Sequence, residues 1–235
     1  MDNIFTGNKD SLTVHIRISK KCNADCSYCS SFEKNASDLM SIKQLEKSMD
    51  FIVEKIKELS LGGRRKFVTV QYVGGELLTV NTEYLKEFTQ VVKNKLSPLF
   101  EYYKHGGQTN LIGSFKKLKE LFEIMDENIG TSFDNHTKQR TLNGNPNKFN
   151  AIFLKNLSSV KKFYGKNIPG IIVLDQKMVP FLKEEIEIHN KERRHVTLRP
   201  VFDGGKPVQH MNIKDMENLF ISTFENWFLK QNIII

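Results

Sequence analysis

KKCNADCSYCSS, at residues 20–31, is the stretch around which this chain is organised. It contains Cys22, Cys26 and Cys29, which are all of the cysteines among the 235 residues. Thiolates are soft ligands that suit iron–sulfur clusters and zinc. A cubane cluster has four irons, and a closed zinc site usually has four protein ligands. Three cysteines therefore predict either a cluster with one open iron or a zinc site that needs one more ligand.

Outward from this loop, the chain alternates between strand and helix patterns. Residues 12–18 carry apolar side chains at every second position, which is typical of a strand, and residues 41–59 carry them three and four apart, as in an amphipathic helix. The same patterns predict strands at 67–73, 100–109, 128–133, 168–174 and 195–202. They predict helices at 81–96, from Ser114, at 148–162, from Pro180 to about His189, and at 213–228.

Six strand–helix units in strict alternation favour parallel strands joined by right-handed crossovers. We therefore expect an α/β fold, a partial (β/α)6 barrel with parallel strands that is open along one side. Residues 1–235 are expected to form a single domain. We expect the sixth helix to turn its apolar stripe to the core; the stripe is Ile213, Met216, Phe220, Phe224 and Trp227.

Unusual polar residues follow the first four predicted strands, at the point where each strand ends. In α/β barrels, functional residues gather on the loops at the carboxyl ends of the strands. This placement predicts an enzyme with its site at that edge. The cysteines follow the first strand and Gly74, Gly75 and Glu76 follow the second. Gln108, Thr109 and Asn110 stand at the end of the third, and Ser132 and Asp134 at the end of the fourth.

The C-x3-C-x2-C spacing, with Tyr28 just before the last cysteine, resembles the signature loop of the radical S-adenosylmethionine (SAM) enzymes. In that family the open iron of a [4Fe–4S] cluster chelates the amino and carboxylate groups of SAM. An electron from the cluster breaks the S–C5′ bond, and the resulting 5′-deoxyadenosyl radical abstracts hydrogen from the substrate. The resemblance implies both cofactors, with Cys22, Cys26 and Cys29 as the cluster ligands and Tyr28 beside SAM. The predicted (β/α)6 core also matches that family.

Gly74-Gly75-Glu76 resembles the GGE motif of the same family. Two glycines let the backbone approach closely, so its carbonyls can accept hydrogen bonds from the SAM ammonium group. Glu76 is expected to fix this turn. Leu77 stands where the family usually has proline, which predicts a less rigid turn.

Two further segments resemble those of members that modify peptides and proteins. Gln108-Thr109-Asn110 resembles their QTN stretch, and Ser132-Phe133-Asp134 resembles their S-x-D segment, with Arg140 near the position of a downstream arginine. The resemblance implies that these polar side chains hold the ribose hydroxyls and that Arg140 pairs with the SAM carboxylate. Turn or cap roles for Asn110 and Ser132, and a solvated loop position for Arg140, stay open. Asn135 replaces a usual glycine, and the loop to Arg140 is shortened.

The resemblance is to the barrel part of SPASM-type enzymes such as the sulfatase-maturating enzymes. It implies hydrogen abstraction from a peptide or protein side chain and a flavodoxin- or ferredoxin-type electron donor. Those relatives continue into a cysteine-rich domain that binds auxiliary clusters, but no cysteine follows Cys29. We therefore expect that domain to be absent or truncated. The catalytic acid or base is not identified.

Composition narrows the remaining alternatives. The net charge is +8, but the basic residues are dispersed, so we expect a solvated surface and no nucleic-acid partner. No apolar run is long enough to cross a membrane and no leader pattern is visible, which predicts a cytoplasmic protein. The alternatives are a radical SAM enzyme acting on RNA or a small metabolite, and a non-catalytic protein with a zinc loop completed by a histidine such as His15.

Overall fold

The computed structural model describes residues 11–29, 38–59, 65–201 and 212–230. Within these ranges, six parallel strands lie side by side in the order in which they occur in the sequence. They are β1 (Ser11–Arg17), β2 (Arg65–Val73), β3 (Phe100–Gln108), β4 (Ile129–Ser132), β5 (Gly170–Leu174) and β6 (Val196–Pro200). The sheet curls into a half-barrel, which confirms the predicted α/β partial barrel.

Helices alternate with these strands, as predicted. They are α1 (Ile42–Leu59), α2 (Thr82–Leu96), α3 (Phe115–Ile124), α4 (Pro146–Tyr164), α5 (Leu182–Lys191) and α6 (Ile213–Lys230). The predicted start of the third helix at Ser114 is confirmed, because the Ser114 hydroxyl accepts a hydrogen bond from the Lys117 N–H at 3.3 Å and caps α3. The predicted end of the sixth strand, at residue 202, lies outside the described residues. None of the helices described is long and apolar enough to be a membrane span.

One face of the sheet packs against the helices and forms the core. Val14 and Ile16 of β1 are buried in the same hydrophobic cluster as Leu45 and Met49 of α1. The Tyr72 ring of β2 lies in edge contact with the Phe88 ring of α2, with centroids 6.3 Å apart. Burial of these apolar surfaces is the main stabilising contribution to such a layered fold.

The opposite face, which we call the inner face, points away from these helices. Successive side chains in a strand alternate between the two faces, so the buried positions identify the others. The inner-face positions with described side chains are Ser11, Thr13, His15 and Arg17 of β1, Phe67, Thr69, Gln71 and Val73 of β2, Tyr102, Lys104, Gly106 and Gln108 of β3, Gly130 and Ser132 of β4, Ile171 and Val173 of β5, and Thr197 and Arg199 of β6.

The predicted core-facing stripe of the sixth helix is wrong for three of its five residues, and the side chain of Trp227 lies outside those described. Ile213, Phe220 and Phe224 are 84%, 41% and 55% exposed. Among the described side chains of α6, Met216 of that stripe packs against the core together with Leu219, three residues further on and therefore on the same helix face. Because α6 is apolar on several sides, its sequence alone does not determine which side is buried.

Candidate functional site

The cysteine loop crosses the carboxyl ends of the strands immediately after β1. Cys22, Cys26 and Cys29 are free thiols, each partly buried. Desolvation by the surrounding protein raises the pKa of Cys22 to about 11 and that of Cys26 to about 12. Thiols bind metals as thiolates, so a metal that binds Cys22 and Cys26 must displace their protons.

The donor chemistry of this loop, three cysteine thiols in one short segment, fits an iron–sulfur cluster. Within the described ranges, no three His, Cys, Asp or Glu side chains are arranged to hold one metal ion. The thiolates of a cubane bind different irons, so they need not converge on one point. The Cys22 sulfur also has nearby N–H groups, from the Ala24 backbone at 3.4 Å and the Asn110 amide at 3.9 Å. Such groups stabilise negative charge on cluster sulfurs.

The first half of the loop is attached to the end of β2 through the paired glycines. The Gly75 N–H donates to the Ser19 carbonyl and the Glu76 N–H to the Lys21 carbonyl, both at 2.8 Å. A Cβ on Gly74 would lie 2.3 Å from the Ser19 oxygen, and one on Gly75 would lie 2.0 Å from the Lys21 oxygen. These glycines are therefore required where β2 passes the base of the cysteine loop.

Glu76 connects the ends of β2 and β3. Its Oε1 accepts hydrogen bonds from the Leu78 N–H (2.9 Å) and the Thr109 hydroxyl (2.7 Å), and its Oε2 accepts one from the Asn110 N–H (2.6 Å). The side chain is buried, and this burial raises the pKa of its carboxyl group although the hydrogen bonds lower it. The expectation that Glu76 fixes its turn agrees with these contacts.

Asn110 connects the same loop to β3. Its side-chain amide donates to Oδ1 of the Asn23 side chain at 2.8 Å, and the Asn23 side-chain amide donates to the Ile112 backbone carbonyl at 2.6 Å. Its own oxygen accepts from the Ile112 N–H at 2.8 Å. Asn110 thus has a turn role and a contact with the cysteine loop at once.

A buried amide on α4 stabilises this turn from beneath. Leu111 has a φ of +59°, a left-handed conformation that a leucine rarely adopts. The Asn156 amide donates to the Leu111 carbonyl at 2.6 Å and to the Gly113 carbonyl at 2.9 Å. These two bonds satisfy carbonyls that the irregular backbone would otherwise leave unpaired.

Arg140 lies inside the site, so the solvated-loop alternative for it is wrong. It is 6% exposed, its Nε lies 2.6 Å from Asp134 Oδ1, and it donates to the Tyr28 hydroxyl at 2.8 Å. Burial raises the pKa of Asp134, and the Arg140 guanidinium lowers it in part. This group places a cation, an anion and a phenol beside the cysteine loop, where the charges of Arg140 and Asp134 act on Cys26.

The second half of the cysteine loop is held by residues 139–141. The Asp25 N–H donates to the Thr141 carbonyl (2.9 Å) and the Ser27 N–H to the Gln139 carbonyl (3.0 Å). The buried Gln139 side chain accepts from the Ser27 hydroxyl at 2.9 Å and donates to Asp175, just after β5, at 2.8 Å. The cysteine loop is thereby connected to the far side of the half-barrel.

Gln108 and Ser132 end β3 and β4 on the inner face, and both are half-buried. Gln108 pairs with Gly130 across the two strands. The residues predicted to bind the cluster or SAM therefore lie at the carboxyl ends of β2 to β4 or on the loops after β1 to β4, whereas His15 of the zinc alternative lies within β1 and is exposed.

Five residues of this site were missed in the sequence: Asn23, Ser27, Gln139, Asn156 and Asp175. Asn23 and Ser27 lie between the cysteines, and Gln139 directly precedes Arg140, so position next to a recognised residue was a usable signal. Asp175 directly follows the fifth strand, as the other polar residues follow theirs. Nothing in the sequence marks Asn156, which occupies an ordinary helical position.

Comparison with solved structures finds close architectural matches. The chain aligns with anSMEcpe with bound AdoMet (SAM) at a TM-score of 0.71 and 16% identity over 95% of its length. It aligns with SuiB from Streptococcus suis bound to SAM at a TM-score of 0.58 and 14% identity over 94% of its length. A third match is HemN, the coproporphyrinogen III oxidase from Escherichia coli, which is a radical SAM enzyme. The TM-score is 0.52, with 12% identity over 94% of this chain. The chain has the fold of the radical SAM enzymes.

This radical SAM fold is shared over only part of those proteins. The chain spans 63% of anSMEcpe, 49% of SuiB and 52% of HemN. No family model and no curated protein sequence matches the chain. The likeness is therefore one of architecture, at low sequence identity.

Proposed function

We propose that this chain is a radical SAM enzyme that acts on a peptide. Cys22, Cys26 and Cys29 would hold a [4Fe–4S] cluster, and SAM would bind beside it at the carboxyl edge. When bound, these cofactors supply a 5′-deoxyadenosyl radical, formed by reductive cleavage of SAM, that abstracts hydrogen from the substrate. The observation that carries the proposal is a loop with three free thiols, held from both sides at the carboxyl edge of a radical SAM fold.

The protein's own groups can orient SAM in distinct ways. The glycine-bearing turn after β2 is held by hydrogen bonds from the Leu78 and Asn110 N–H groups to Glu76, so its backbone could present carbonyl groups to the SAM ammonium group. The Arg140 guanidinium is already paired with Asp134, and its charge suits the carboxylate of SAM. Tyr28, bonded to Arg140, presents an aromatic ring beside the last cysteine.

The polar side chains at the ends of β3 and β4 have different roles, and two of them would contact the ribose of SAM. Gln108 and Ser132 stand at the top of the inner face with partly exposed side chains, which suits hydrogen bonds to ribose hydroxyls. Asp134 is occupied by Arg140, so its part is to position that arginine. The Asn110 amide contacts Asn23, so Asn110 acts through the cysteine loop.

A peptide substrate is supported by one of the compared structures and by the open inner face. anSMEcpe has been solved with bound AdoMet and the Kp18Cys peptide. A flavodoxin- or ferredoxin-type protein would donate the electron. A half-barrel leaves the site accessible from one side, and a bound peptide would cover it and limit side reactions with water.

The test is anaerobic reconstitution followed by assays for metal and for SAM cleavage. We expect about four irons per chain with labile sulfide, and slow formation of 5′-deoxyadenosine after reduction. Alanine variants of the three cysteines should each lose the cluster. Deuterated candidate peptides should transfer deuterium to 5′-deoxyadenosine, which mass spectrometry detects.

Other outcomes separate the alternatives. Stoichiometric zinc without a brown chromophore would mean a zinc-stabilised protein and end the proposal. Deuterium transfer from RNA or from small metabolites, and from no peptide, would keep the chemistry and replace the substrate. A cysteine variant that retains the whole cluster would show that the ligands are wrongly assigned.

A further inference from the structure

We propose that the inner face of the half-barrel binds an acidic peptide segment, whose carboxylates are recognised by Lys104 and Arg199. This inference rests on the proposed function, because it specifies the class of peptide that the site accepts. It concerns two side chains of the sheet that form no hydrogen bond or ion pair with the described part of the cysteine loop.

Strand register places the cations on one surface. Lys104 lies on β3, four residues before Gln108, which is about 13 Å below the carboxyl edge at the usual rise of a strand. Arg199 lies near the carboxyl end of β6, opposite Val173 of β5. Arg17 ends β1 on the same face.

The positions of the two arginines matter because β1 and β6 are the outer strands of the sheet. The open side of a half-barrel lies between its first and last strands. Arg17 and Arg199 therefore stand on its two flanks, at the end where the cysteine loop lies. A chain that entered the half-barrel from this side would pass between cationic groups.

Two cations of the inner face, Lys104 and Arg199, have no acidic partner among the described residues. The described positions of this face include Arg17, Lys104 and Arg199 and no Asp or Glu. Lys104 and Arg199 are exposed and form no ion pair with any described residue. On the helices, by contrast, lysines pair with acids, as in Lys55–Glu58, Lys86–Glu83 and Lys95–Asp50.

The same face carries an aromatic surface. The rings of Phe67 and Tyr102 stack across β2 and β3 with centroids 5.0 Å apart. They are 49% and 59% exposed, which is unusual for rings of this size inside a concave sheet. Stacked aromatic rings offer a firm contact for the apolar side chains and backbone of a peptide.

Charge of one sign in a concavity with low-dielectric walls concentrates its field. Carboxylates of an entering peptide would be attracted, and lysines or arginines in the same positions would be repelled. Each exposed pair contributes modestly, so each cation should change affinity by roughly threefold. Salt should weaken the preference, because exposed charges are screened over about 10 Å at 0.1 M ionic strength.

The experiment measures fluorescence anisotropy of a short dye-labelled peptide rich in glutamate, added to the reconstituted full chain. The same peptide with every glutamate replaced by glutamine, or by lysine, serves for comparison. The proteins are the parent, Lys104→Gln, Arg199→Gln, the double variant, Lys104→Arg, and Lys47→Gln. Lys47 is exposed on α1 and is the matched control.

We expect the parent to bind the glutamate peptide about tenfold more tightly than the glutamine peptide at low salt, and to bind the lysine peptide least. The double variant should lose this preference, whereas Lys104→Arg and Lys47→Gln should keep it. Equal binding of the glutamate and glutamine peptides by the parent would overturn the inference. So would an equal loss in Lys47→Gln.

SAM cleavage by the parent without peptide is measured in the same samples, and this separates the two proposals. Acid-selective binding without any 5′-deoxyadenosine would refute the proposed function and leave the charge-selective surface. SAM cleavage with no selectivity for acidic peptides would refute only the further inference.

Discussion

The two halves of the cysteine loop are attached to different parts of the half-barrel and by different bonds. Residues 18–23 are attached to β2 and β3, through backbone hydrogen bonds to Gly75 and Glu76 and the Asn23–Asn110 contact. Residues 25–28 are attached to the segment after β4, through two backbone bonds, the Ser27–Gln139 contact and the Tyr28–Arg140 bond. The first attachment requires glycines at positions 74 and 75, where a Cβ would clash with the loop backbone. The second depends on the buried Arg140–Asp134 ion pair and on hydrogen bonds between polar side chains.

This difference implies a division of tasks. The first half continues directly from β1, so moving it means disturbing the sheet. The second half is held by a loop that itself depends on Asp134 and Asp175, at the ends of two other strands. Substitutions at the first attachment should therefore lower the stability of the fold and the binding of a cluster together. Substitutions at the second attachment should lower stability by amounts that depend on which contact is removed.

The largest effect is expected from Gly75→Val. Its Cβ would lie 2.0 Å from the Lys21 carbonyl oxygen, which is backbone and cannot rotate away. We expect the free energy of unfolding to fall by more than about 5 kcal/mol, beyond ordinary overpacking because two backbone segments must separate, and iron content after reconstitution to fall below half of the parent value. Calorimetry and iron analysis measure the two quantities.

Gly165→Asn is the control for Gly75→Val, since no atom lies within 4 Å of a Cβ there and asparagine tolerates the left-handed C-cap of α4. A Gly75→Val protein with its full cluster and impaired SAM binding alone would show that the glycine serves the cofactor and not the loop.

An intermediate effect with a marked pH dependence is expected from Arg140→Gln. It leaves the buried Asp134 carboxylate without its cation, which costs about 3–5 kcal/mol at neutral pH. Burial already raises the pKa of Asp134, and loss of the guanidinium raises it further. The native state then binds a proton more readily than the unfolded state does. Stability should therefore recover as the pH falls through the folded-state pKa and be lost as the pH rises through it.

Denaturant titrations at several pH values measure this dependence. The double variant Asp134→Asn/Arg140→Gln removes the buried charge, so it should be more stable than Arg140→Gln at neutral pH and lack its pH dependence. An Arg140→Gln protein as stable as the parent at neutral pH would contradict the role given to this ion pair.

The smallest effects distinguish the side-chain contacts of the two halves. Ser27→Ala removes one hydroxyl and keeps the backbone bond to Gln139, so we expect a loss of about 0.5–1.5 kcal/mol. Asn23→Ala removes both its bond to the Ile112 carbonyl and the partner of the Asn110 amide, so we expect about 1–3 kcal/mol. Urea unfolding measures both.

A double-mutant cycle with Ser27→Ala and Gln139→Ala isolates the contact in the second half. Additive losses would mean that this hydrogen bond contributes nothing to stability. A larger loss for Ser27→Ala than for Asn23→Ala would reverse the order given to the two halves.

The sequence predicts the sheet and the edge where the site lies, because both follow from local patterns. Alternation in β1 and caps such as Ser114 are properties of neighbouring residues. The hydrogen bonds that shape the site connect residues far apart in the sequence, such as those of Gln139 with Ser27 and Asp175. No local pattern specifies such partners. The same limit explains α6, whose buried side depends on what packs against it.

The distances along the chain between the loop and its partners have a consequence for protein synthesis. Asn23 precedes Asn110 by 87 positions, and Ser27 precedes Gln139 by 112. At about 5–20 residues per second, the second partner is made roughly 6–22 s after the cysteines. During that interval the three thiols are part of a nascent chain that cannot yet hold them in place. Insertion of iron is therefore expected to follow translation of the segment that contains Gln139 and Arg140, and a chain interrupted before it should remain without metal.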